Sequence, residues 1–128
     1  MNPALTPWFA IAAGAVIGAW LRYGLSLALN ARHAWIPLGT LTANLLGGLA
    51  IGVLLQLADR GALSAEWRLF AVTGLLGALT TFSTFSAEVT GLLTGGAVLQ
   101  GVALAAIHLL GSLGLTALGF WLACRLTA

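Results

Sequence analysis

The chain has 128 residues, 60% hydrophobic and 6% charged, with five arginines against three acidic residues and no lysine. A soluble domain carries about a quarter charged residues to solvate its surface, so this composition excludes a water-soluble globule and, with a mean hydropathy of +1.04, leaves the membrane as solvent. Arg22, Arg32, Arg60, Arg68 and Arg125 form no cluster or stripe, which excludes a nucleic-acid footprint.

A bilayer core of about 30 Å takes roughly 20 apolar residues of helix, and four runs of the chain satisfy that requirement. Residues 1–7 lack the basic region of a signal peptide, so the first apolar stretch is expected to stay in the mature protein. The first predicted span, 8–29, begins after Pro7 and is interrupted by Arg22. The second, 37–58, has Thr40, Thr42, Asn44 and Gln56 as its polar members. The third covers 69–93 and the fourth 97–122, joined by the short connections 30–36, 59–68 and 94–96. Helices joined so tightly lie antiparallel to their neighbours. The reading is an all-α membrane protein, with residues 1–128 forming a single four-helix transmembrane domain.

Gly14 and Gly18 are four residues apart, as are Gly48 and Gly52, with Gly47 alongside. Small residues at this spacing let backbones approach, and close packing substitutes for a hydrophobic drive that lipid cannot supply. Trp8, Trp20, Trp35, Trp67 and Trp121 mostly fall near predicted helix ends, where interfacial anchoring accounts for them. Lone Cys124 excludes an intrachain disulfide and a cysteine metal cluster. His33 and His108 are far apart in sequence, with no second ligand at metal spacing, and the glycines form no phosphate-binding loop; no enzyme constellation emerges.

Residues that are polar at membrane depth are costly unless paired, and so are informative. The densest run is Thr80-Thr81-Phe82-Ser83-Thr84-Phe85-Ser86-Ala87-Glu88. Thr80, Thr84 and Glu88 are spaced by four and would share a stripe of a continuous helix. The run follows Gly74 and Gly77, and a third helix broken near its middle is expected there, with freed carbonyls buried or bound to a cation or water. The alternative is that the hydroxyls bond back to carbonyls of the preceding turn. His108, Ser112 and Thr116 on the fourth span, and Thr40 and Asn44 on the second, form further stripes that could face this run. Together they would line a path rich in donors and poor in fixed charge, which favours a small anion, and the positive edges of Phe82 and Phe85 could face one too. Glu88 is then expected near a mouth or itself hydrogen-bonded. Two readings stand for Arg22, an interfacial anchor and a vestibule charge.

With four spans, Arg60, Arg68 and Arg125 fall on one side, and Arg32, with Arg22 near a helix end, on the other. This bias is weak under the positive-inside rule and permits insertion in both orientations. Four short helices leave little room for an internal aqueous path, so conduction would call for an oligomer.

These residues resemble a known family. PLGTLTANLLGGLAIG at 37–52, TGLLGAL at 73–79, TTFSTFSAE at 80–88 and LLGSLGLTALGFWL at 109–122, preceded by GAWLRY at 18–23, resemble the Fluc (CrcB) fluoride channels over most of the chain. The resemblance implies a dual-topology, antiparallel homodimer with two antiparallel pores in the bacterial inner membrane, exporting cytoplasmic fluoride by passive electrodiffusion. It implies that Phe82 and Phe85 form the aromatic wall of the fluoride pathway and that Asn44 is its amide. Ser83, Thr84, Ser112 and Thr116 would form the polar track, Glu88 closes the motif, and Arg22 belongs to the vestibule. It further implies a structural sodium ion on backbone carbonyls of both subunits, matching Gly77 and Thr80. His108, where related sequences often have asparagine, Ala12-Ala13 before Gly14, and Ala78 in place of a frequent glycine depart from the pattern.

Two rival readings are a proton-coupled small multidrug exporter and a non-conducting assembly subunit. The exporter places a glutamate in its first helix, where this chain has Arg22. The assembly subunit would use the hydroxyl run as an interhelical interface.

Overall fold

The computed structural model describes residues 6–126, and residues 1–5 of the segment read as lacking a signal peptide lie outside them. Among the described residues, four helices are long and apolar enough to cross a membrane: Thr6–Arg32, Leu38–Asp59, Ala65–Thr94 and Val98–Leu126. Helix α1, Thr6–Leu29, passes into a 3₁₀ turn, Asn30–Arg32. Arg32 folds its Nε back onto the Ala28 carbonyl at 2.8 Å, satisfying one of the acceptors that a helix end leaves open.

Helix α2, Leu38–Asp59, starts behind Pro37, which offers no capping oxygen. Asn30 supplies one from across the connection, its Oδ1 accepting the N–H groups of Gly39 at 2.7 Å and Thr40 at 3.3 Å. Gly39 has no room for a side chain, because a Cβ there would sit 2.6 Å from that Oδ1. The helix ends with Gly61 at φ +72, where Ala62 N–H reaches the Leu57 carbonyl at 2.9 Å and Gly61 N–H the Ala58 carbonyl at 3.0 Å. This left-handed cap closes the helix as a Schellman motif.

The third span begins at Ala65 rather than near 69, because Ser64 caps it by accepting Trp67 N–H at 3.3 Å. Its first turn, α3 (Ala65–Arg68), carries Glu66 and Arg68, so hydropathy places the boundary later than the backbone does. A π-helical stretch, Leu69–Leu76, and one turn of α4, Gly77–Leu79, follow. Thr80 (ψ 153) and Thr81 (φ −151, ψ 115) are extended. Helix α5, Phe82–Thr94, resumes beyond them with Thr81 as its N-cap. Gly96 at φ +84 ends α5 before α6, Val98–Leu126.

The packing follows the glycines. Helix α1 lies along the π-helical stretch and α4, while α6 lies along α2 and α5. A Cβ on Gly14 would come within 2.8 Å of Leu75 N, and one on Gly18 within 3.0 Å of Leu79 N. On the other seam, Cβ atoms on Gly52 and Gly119 would come within 3.0 Å of Phe120 N and Val53 N respectively. Backbones therefore meet directly at both seams. The two halves of the third span pack on different partners, and the chain crosses between them at Thr80–Thr81. Ala43 on α2, Leu76 and Leu79 form the buried core beside this crossing. Trp8, Trp20, Leu99, Leu110 and many other large apolar side chains are exposed, far more than a soluble monomer presents.

Candidate functional site

One group of the interior's polar side chains gathers where the third span is interrupted. An extended pair of residues inside an apolar bundle leaves backbone groups that need partners, and Asn44 of α2 meets this need. Its Oδ1 accepts Thr81 N–H at 2.7 Å and its Nδ2 donates to the Thr81 carbonyl at 3.0 Å. The same Nδ2 lies 3.3 Å from His108 Nδ1 on α6. Asn44 thus ties α2, the interruption and α6 together.

Thr81 then caps α5. Its Oγ1 accepts Thr84 N–H at 3.1 Å, donates to Thr84 Oγ1 at 3.0 Å and lies 3.3 Å from Ser83 Oγ. Thr80 takes the simpler course for a membrane threonine, with Oγ1 bonding back to the Leu76 carbonyl at 2.9 Å. Thr80 therefore does not continue the stripe of Thr84 and Glu88, since the interruption places it on the other half of the span.

These diversions have a consequence for two carbonyls. In a continuous helix, Gly77 would receive Thr81 N–H and Thr80 would receive Thr84 N–H. Here the first goes to Asn44 and the second to Thr81 Oγ1. Gly77 is exposed on the chain's surface and Thr80 half-buried. The Ala78 carbonyl between them accepts Arg22 Nε at 3.0 Å, so Arg22 reaches from α1 to the edge of the interruption.

The aromatic residues run from surface to interior. Phe82 is 78% exposed and meets Phe85 edge-on at 5.4 Å. Phe85 stacks on His108 at 4.6 Å with the planes 27° apart. His108 is buried, and its Nε2 has no hydrogen-bond partner. One turn from Phe85, Glu88 Oε1 accepts Thr40 Oγ1 at 2.7 Å, while Glu88 Oε2 is buried without a partner. A cavity of about 400 Å³ adjoins Glu88, lined also by Asn30, His33, Trp35, Pro37 and Leu104. At its rim His33 Nδ1 accepts the N–H groups of Trp35 and Ile36 at 3.4 and 3.1 Å.

On α6, Thr116 Oγ1 donates to the Gly48 carbonyl at 3.0 Å. A Cβ on Gly48 would lie 3.1 Å from the Ser112 carbonyl. Asn44, Thr81, Ser83, Thr84, Phe82, Phe85 and His108 thus form one connected group, whereas Ser112 and Thr116 lie along the α2–α6 seam. Glu88 and Thr40 make a separate pair beside the cavity. Sequence reasoning missed the Arg22 contact with Ala78 and the cap from Asn30. Both use backbone groups that become available only once the interruption and the turn have formed.

The family model described as "CrcB-like protein, Camphor Resistance (CrcB)" matches residues 9–120. A Thiobacillus denitrificans protein named Fluoride-specific ion channel FluC is 52% identical over 118 residues, covering 91% of this chain and 95% of its own length. A Marinobacter nauticus protein of the same name is 57% identical over 114 residues, covering 87% and 89%. A third, from Ralstonia pickettii, is 51% identical over 115 residues, covering 89% and 91%. With its four spanning helices, this chain is a multi-pass membrane protein and belongs to the CrcB family.

Proposed function

We propose that this protein is a fluoride-selective ion channel of the bacterial inner membrane, not an enzyme, and that it exports cytoplasmic fluoride by passive electrodiffusion. The carrying observation is the group of uncharged donors and phenyl rings at the interrupted third span, in a chain half identical to proteins named fluoride-specific ion channels. A small anion leaves water only where other donors replace its hydration shell. Hydroxyls of Ser83, Thr84 and Ser112 and the ring edges of Phe82 and Phe85 supply such donors without a fixed countercharge that would trap the ion, while Asn44 and Thr116, whose hydrogens go to Thr81, His108 and Gly48, shape the path. Glu88 lies beside a cavity that opens toward one end of the bundle, and Arg22 serves the vestibule. Fluoride enters from acidic surroundings as neutral HF and is held inside as the ion, so a selective leak protects the cell.

The active unit is an antiparallel, dual-topology homodimer with two pores. The exposure of Phe82, Ser83 and Gly77 on a single chain supports this reading, since residues meant for a pathway would otherwise face lipid. A second copy would close the path and shield the rings. A structural sodium ion fits the same interface. The carbonyls of Gly77 and Thr80, deprived of their helical donors, are neutral oxygen ligands suited to a monovalent cation. When bound, the ion would hold the interruptions of two subunits together.

Replacing Phe85 by isoleucine tests the pathway. Fluoride efflux from liposomes should fall by about tenfold or more while crosslinking still detects the dimer. Loss of the dimer with the flux would instead favour an assembly role for this run.

A further inference from the structure

Asn44 has no hydrogen left for a passing ion. Its Oδ1 accepts Thr81 N–H, which fixes the orientation of the amide, and its Nδ2 carries two hydrogens for two acceptors, the Thr81 carbonyl and His108 Nδ1. An amide nitrogen only donates. His108 Nδ1 must therefore present its lone pair, and the proton of the neutral ring sits on Nε2. That Nε2–H is buried and finds no acceptor in the chain, although His108 is only 3% exposed. An isolated donor in a bundle interior is costly unless something arrives to accept from it.

We infer that His108 Nε2–H is a donor to the permeating anion and that Asn44 is a positioning residue, holding His108 in this tautomer and Thr81 in its extended conformation. The inference rests on the channel reading above and names the group that would contact the ion. A neutral imidazole with one free N–H selects an acceptor and offers nothing to a cation. The ring is held on two sides, by the Asn44 amide at its Nδ1 and by Phe85 stacked on its face at 4.6 Å. Phe82, exposed and edge-on to Phe85, continues this line to the surface. Nε2 is closed to solvent in the present conformation, so an anion reaches it by displacing a neighbouring side chain, and Phe85 is the ring already stacked there.

Two variants separate a donor from a packing role. His108→Phe keeps an aromatic ring for Phe85 to stack on and removes the donor. His108→Gln can accept from Asn44 through its carbonyl and donate through its amide. Liposomes with H108F should release fluoride about tenfold more slowly than wild type, and those with H108Q within about threefold of it. Nitrogen NMR of ¹⁵N-histidine protein in lipid nanodiscs gives an independent reading. Nδ1 should appear unprotonated and Nε2 protonated, sodium fluoride should shift Nε2 more than Nδ1, and Asn44→Ala should mix the tautomers. Wild-type flux from H108F, a proton on Nδ1, or an Nε2 indifferent to fluoride would overturn the inference. Wild-type protein that conducts beside an equally conducting H108F sinks this inference alone; wild-type protein that passes no fluoride removes the channel reading and this inference with it. If H108F fails to assemble, the fluoride titration of wild-type protein decides.

Discussion

Thr81 and Asn44 make a reciprocal pair, backbone N–H to side-chain oxygen and side-chain N–H to backbone carbonyl. The arrangement resembles one rung of a β-ladder built from a side chain. Asn44→Asp keeps the acceptor for Thr81 N–H but removes both donors and sets a carboxylate against the Thr81 carbonyl and His108 Nδ1. Each buried acceptor left unsatisfied costs about 1–3 kcal/mol, so the variant should melt at lower temperature in detergent and lose most of its fluoride flux. Unchanged melting and flux would mean that this pair does not hold the interruption. Asn44 is conspicuous in the sequence as an amide within an apolar run, but its target is not. Thr81 N–H becomes free for it only because the helix stops at Leu79, and that depends on packing against α1 and α2.

At the scale of elements, the two seams differ from the open faces in what they demand of glycine. Gly14 faces the backbone of the π-helical stretch, where a Cβ would meet Leu75 N at 2.8 Å. Gly24 has nothing within 4 Å of its Cβ position. Gly14→Ala should therefore destabilise the fold by about 1–3 kcal/mol through overpacking, and Gly24→Ala should be neutral or stabilise by up to about 1 kcal/mol through helix propensity. Denaturant titration in detergent micelles checks both, and equal effects would refute the assignment of the α1 seam. The four apolar helices and the glycine spacing were legible because lipid demands long apolar runs and close backbone contact. The π-helical stretch was not, since Leu69–Leu76 is apolar in any helical register. Neither was the start at Ala65, hidden by Glu66 and Arg68, nor the separation of Thr80 from Thr84 and Glu88, which periodicity treats as one stripe.

For the whole molecule, the four spanning helices among the described residues pack as two glycine seams and leave many large apolar side chains facing outward. Such a chain suits a membrane as solvent, and it leaves Phe82 and Gly77 uncovered. The proposed dimer covers both, and the proposed sodium ion joins the subunits through Gly77 and Thr80 carbonyls. Exchange of sodium for N-methylglucamine should then slow fluoride flux and shift the dimer toward monomer in size-exclusion chromatography. A dimer and a flux indifferent to sodium would remove the ion from the account. Fluoride comes into the account only through the family, while the donors and their spacing go no further than a small anion, because hydroxyls and ring edges suit any compact acceptor.

The central claim is tested most directly by efflux from liposomes holding the purified protein, followed with a fluoride electrode and a potassium ionophore, with chloride as the comparison ion. The account predicts rapid passive release of fluoride and none of chloride. Vesicles that retain their fluoride while containing folded protein, or that release both ions alike, would contradict it.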